Sequence, residues 1–65
     1  MNEKIKRYFN AEFELLDEYK EKYSSLSSMY NMKADKIKGA IHLAEFLDLL
    51  SYEEIQELRT KLHSI

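Results

Sequence analysis

The sequence predicts an all-α fold: a long N-terminal helix packed antiparallel on two shorter helices as a hairpin, with two hairpins pairing into a four-helix-type bundle. Three observations carry this. Ile5, Phe9, Leu16, Tyr19, Tyr23, Leu26 and Tyr30 recur three and four apart, interrupted only by Glu12. A repeat averaging about 3.5 residues marks a helix lying along another helix. The chain also has no proline, no valine and one glycine, so the residues that break helices or favour strands are nearly absent. Finally, 65 residues form one thin domain, residues 1–65, without cysteines for disulfides or thiolate zinc. So small a core is marginal alone, which makes oligomerisation the expected support.

The first helix is expected to start at Asn2 or Glu3, where an acidic residue suits the positive end of the helix dipole. The apolar stripe passes through Ser24, Ser25, Ser27 and Ser28 to Tyr30, so the helix is carried to Tyr30. That gives ~28 residues, about 42 Å. Asn31 to Ala34 is the expected turn, because Asn tolerates the left-handed conformation that ends helices. A second helix then runs from Lys33 or Asp35 to Leu50. Ser51 followed by Glu54 reads as a capping box opening a third helix, Tyr52 to His63, with Ile55, Leu58 and Leu62 on one face.

Folding the chain about residues 31 and 32, with the second and third helices nearly in line, places Leu26 across from Ile37 and Tyr23 across from Ala40. Tyr19 then meets Ala44, Leu16 meets Leu47, and Gly39 faces Ser24 at a close approach. Glu21 falls near Lys38. Large side chains opposite small ones fill space efficiently. Ile41, Leu43, Phe46 and Leu50 are left over on the second helix, with Phe13 beside the seam of the first. A helix apolar over most of its circumference demands burial, and an isologous two-fold pairing supplies it. The competing arrangement is a monomeric three-helix bundle in which the third helix turns back over the second.

Charge and motifs narrow the function classes. Ten basic against twelve acidic residues leave a net charge of −2, which argues against indiscriminate binding to nucleic acid or anionic lipid. The longest apolar-rich run, Ala40 to Leu50, is about half a membrane span and holds Glu45 and Asp48. No signal-peptide pattern is visible at the amino end, so the expectation is a cytoplasmic protein without membrane contact.

No nucleophile elbow or glycine-rich phosphate loop is present, and the expectation is no enzyme, no cofactor and no metal. His42 and Glu45 have metal-ligand spacing, but the bland reading is a surface histidine pairing with a carboxylate. Tyr19, Tyr23 and Tyr30 read as core or dimer interface, whereas Tyr8 and Tyr52 are candidates for an exposed contact. Lys33, Lys36 and Lys38 make a basic tip, a possible charged contact for an acidic partner. A helix-turn-helix DNA reader is the weaker alternative, since its reading helix would open Tyr52, Glu53, Glu54.

The reading that results is a non-enzymatic protein that binds another protein stoichiometrically, as a regulator, inhibitor or adaptor, and pairs as a homodimer. A structural homo-oligomer and a small DNA-binding regulator are the other two classes. The expected contact surface is Ile41, Leu43, Phe46, Leu50, Tyr52 and Phe13.

Overall fold

The computed structural model describes residues 1–24 and 26–63. Three helices follow in order: α1 (Glu3–Tyr23), α2 (Ser28–Phe46) and α3 (Tyr52–His63), with no strand among the described residues. Asn2 caps α1, its side-chain oxygen accepting from the amides of Lys4 and Ile5 at 2.8 and 3.2 Å.

α1 stops a full two turns earlier than its apolar stripe suggests. Ser24 takes φ 78°, and its amide still donates to Lys20. Ser27 then caps α2: its hydroxyl oxygen accepts from the Tyr30 amide at 3.1 Å while its proton goes to the Ser24 carbonyl at 3.0 Å. Serine hydroxyls compete with helical bonding in this way, and here they form a turn. The expected turn at Asn31 to Ala34 is therefore corrected, because those residues lie inside α2. Ser25 lies outside the described residues. Leu26, read as part of the buried seam, is 90% exposed.

Moving the turn shifts the whole hairpin register. Ala44 shares a groove with Ile5 and Phe9, whereas Tyr19 lines another with Met29, Met32, Lys33 and Lys36. Gly39 faces no close neighbour: a Cβ built there meets nothing within 4 Å.

α2 ends in a Schellman motif. Asp48 adopts φ 55°, its amide donating to the Glu45 carbonyl at 3.1 Å and the Leu49 amide to Ala44 at 2.9 Å. This reverses the chain. The capping box follows as expected: Ser51 N–H donates to Glu54 Oε1 at 2.9 Å and Glu54 N–H to Ser51 Oγ at 3.2 Å.

α3 consequently does not continue α2 in line but folds back along it. Arg59 donates to Glu45 Oε1 at 2.9 Å, and Leu62 and His63 border the same cleft as Asp35 and Gly39. The α-amino group of Met1 pairs with Glu54, and Lys61 Nζ lies 4.9 Å from the centroid of the Phe13 ring. α3 thus runs antiparallel to α2 and parallel to α1, the three-helix arrangement rather than two aligned arms.

The core comprises Phe9, Phe13 and Leu16 of α1, Tyr30, Ile37, Ile41 and Ala44 of α2, Leu50, and Ile55 and Leu58 of α3. The 33 Å long axis matches a 21-residue α1, about 32 Å at 1.5 Å per residue.

Candidate functional site

The six residues expected to form one contact surface separate into two groups. Phe13, Ile41 and Leu50 belong to the core, with Ile41 only 1% exposed, so they present nothing to a partner. The reason is α3: folded back, it covers the flank of the hairpin that an aligned arm would have left open. Leu43, Phe46 and Tyr52 are exposed at 57%, 78% and 74%. Tyr52 lines a depression on α3 with Glu53 and Gln56, and shares none of the groove that Leu43 lines.

Leu43 does belong to a site. It lines an apolar groove of about 280 Å³ between the first half of α1 and the second half of α2. Ile5, Tyr8 and Phe9 come from α1, Ala40, Ala44 and Leu47 from α2 and its C-cap, and Leu49 from the Schellman turn. The alanines create the groove, because two small side chains in succession leave the space between larger neighbours unfilled. For scale, a dry cavity of roughly 150 Å³ takes up benzene.

The groove has a continuation. Tyr19, Met29, Met32, Lys33 and Lys36 line a second depression, again between α1 and α2. Met29, Lys33, Lys36, Ala40, Leu43 and Leu47 recur three and four apart, so they form one stripe on one side of α2. No α3 residue lines either depression among the described residues. Sequence reasoning missed this stripe because it placed the turn inside it. With the turn at the serines, the 3–4 spacing from Met29 to Leu47 would have been legible.

The three lysines expected to form a basic tip go to different places. Lys33 Nζ is 2.7 Å from Glu12 Oε2, with both side chains nearly buried. This is a charge contact rather than an aligned hydrogen bond, since Glu12 Oε2 has no geometrically sound donor. The residue that interrupts the apolar repeat of α1 is thereby explained by its partner on α2. Lys36 borders the depression beside Tyr19, whereas Lys38 borders the α2–α3 cleft.

His42 Nδ1 lies 4.0 Å from Glu45 Oε1, an oxygen that also accepts from Arg59. Among the described residues no three His, Asp or Glu gather closely enough to hold a metal ion. Tyr30 is buried and Tyr19 half-buried, while Tyr8, Tyr23 and Tyr52 are exposed. Among the described residues, no helix is long and apolar enough to cross a membrane.

No family model, curated protein or solved structure matches this chain.

Proposed function

We propose that this protein acts by stoichiometric binding to another protein, as a cytoplasmic regulator, inhibitor or adaptor, through the α1–α2 face that α3 leaves uncovered. The observation that carries the reading is the apolar groove of Ile5, Tyr8, Ala40, Leu43, Leu47 and Leu49. Apolar surface gathered in a concave site, with aromatic and aliphatic walls, is the pattern of a contact surface. Scattered single hydrophobics would call for no such account.

Pairing of two copies through the same face is the second reading. The exposed apolar side chains of α2 favour it, and an isologous contact would bury the same groove on both chains.

The test is affinity capture with the wild-type chain and with Leu43→Asp, circular dichroism first showing that both are folded. One protein recovered with the wild type in near-equal amount and lost with Leu43→Asp supports the reading. Identical recovery with the two chains, together with identical masses by light scattering, rejects the face.

A further inference from the structure

The uncovered α1–α2 face has a charge pattern that selects among occupants. Lys4 is the charged residue lining the apolar groove, and Lys33 and Lys36 are those lining its continuation. No carboxylate lines either depression among the described residues. Lys33 is engaged with Glu12. Lys4 and Lys36 are exposed and, among the described residues, have no ion-pair partner. The free charge on the rim of the face is thus positive at both ends.

Shape adds a second constraint. Met29 to Leu47 spans about 27 Å at 1.5 Å per residue, a length that suits a helix of some five turns. The same hairpin already accepts a helix on its other side, where α3 seats Ile55 and Leu58 in the core. Two packed helices present such a trough on each flank, and the second one is open.

We infer that the occupant is an amphipathic helix of a partner protein, its apolar stripe seated over Ala40 and Ala44 and carboxylates on its flanks reaching Lys4 and Lys36. This rests on the protein-binding reading above and names the chemistry of the partner. A second copy of this chain fits less well. An isologous contact sets this lysine-rimmed face against itself, with no lining carboxylate to compensate. Like charges across an interface suppress the wrong partner, and opposite ones steer the right one.

The experiment uses two synthetic 18-residue helical peptides with leucines three and four apart, one flanked by glutamates and the other by lysines. Fluorescence anisotropy measures their binding to the intact chain at low salt and at high salt. The glutamate peptide should bind about fivefold tighter at low salt, the size expected of two exposed ion pairs. The difference should shrink at high salt, and Lys4→Glu with Lys36→Glu should reverse the preference.

Equal binding of the two peptides, abolished by Leu43→Asp, overturns the acidic partner and leaves the face intact. Self-association by light scattering that disappears in Leu43→Asp, with neither peptide bound, overturns the inference in favour of a second copy. Binding of neither peptide, with no self-association, overturns the inference and counts against the protein-binding reading too.

Discussion

Glu12 of α1 and Lys33 of α2 meet across the helix pair with Oε2 and Nζ 2.7 Å apart, both nearly withdrawn from solvent. The contact sits on the α1–α2 side, between two stretches of apolar surface, at the one position where the repeat of α1 carries a charge. Withdrawing two charges from water costs several kcal/mol each, and mutual attraction offsets this only when the geometry is good. Here the oxygen lacks an aligned donor, so the pair is not expected to stabilise the fold over an apolar pair.

The consequence is an asymmetry between single and double replacement. Lys33→Met strands the Glu12 carboxylate, and Glu12→Leu strands the ammonium. Each should destabilise the chain by about 2 kcal/mol, below the range for fully buried pairs because both groups keep some solvent contact. The double variant should be as stable as the wild type or more so. Urea unfolding of the four proteins measures this, and single variants within about 0.5 kcal/mol of wild type would contradict the buried pair.

Gly39→Ala should stabilise the chain. The glycine is inside α2, where it costs about 1 kcal/mol relative to alanine. An added Cβ meets no atom within 4 Å, so nothing in the fold opposes the change. A melting temperature about 4–8 °C higher is expected for a domain this small. A lower one would mean that another surface approaches Gly39 in solution.

Glu54 gives the fold an acid-sensitive joint. The Met1 ammonium first, and then the Ser51 amide, hold its carboxyl below the ordinary value near 4.5. Because the folded-state value is lowered, the stabilisation is present above the unfolded value. It is lost as pH falls through the folded one. Glu54→Gln keeps the capping-box geometry, since Gln serves there as well as Glu, but removes the charge. The variant should be less stable than wild type near neutrality, and the gap should close as the pH falls through the lowered folded-state value. A gap that stays constant over a titration followed by circular dichroism would remove the ammonium contact from the account.

The parts of this fold that were legible in the sequence are those set by local chemistry. Ser51 and Glu54 announce the start of α3 because the two partners of the box are three residues apart. The all-helical class follows from composition. The end of α1 was not legible, because an apolar stripe reports which side of a chain is apolar and not whether the chain is continuous. Leu26, Met29 and Tyr30 kept the spacing through a turn that serine hydroxyls build.

That single displacement propagated. It placed Tyr19 opposite Ala44 and left the groove unseen, since Ala40 and Ala44 were assigned to fill space that they in fact leave open. Ile41, Leu50 and Phe13 looked like surplus surface only while α3 was held in line. Its reversal depends on Asp48, a residue type that tolerates the left-handed region without requiring it.

Asp48 therefore provides the sharpest test of the architecture. At φ 55° it occupies the position where helices ending in a Schellman motif usually carry glycine. Asp48→Gly relieves the left-handed cost but loosens the unfolded chain, and the net gain should be up to about 1 kcal/mol. Asp48→Val should go the other way and by more, because a β-branched residue is a true outlier at positive φ. Ser24, at φ 78° and ψ 158°, lies in a region occupied almost only by glycine. Ser24→Gly relieves that cost but gives up the bond its Oγ accepts from the Leu26 amide at 3.2 Å, so its gain should be smaller than that of Asp48→Gly. If thermal melts rank Asp48→Val at or above wild type, α2 does not end in a left-handed turn. The reversal that brings α3 back over the core would then need a different origin.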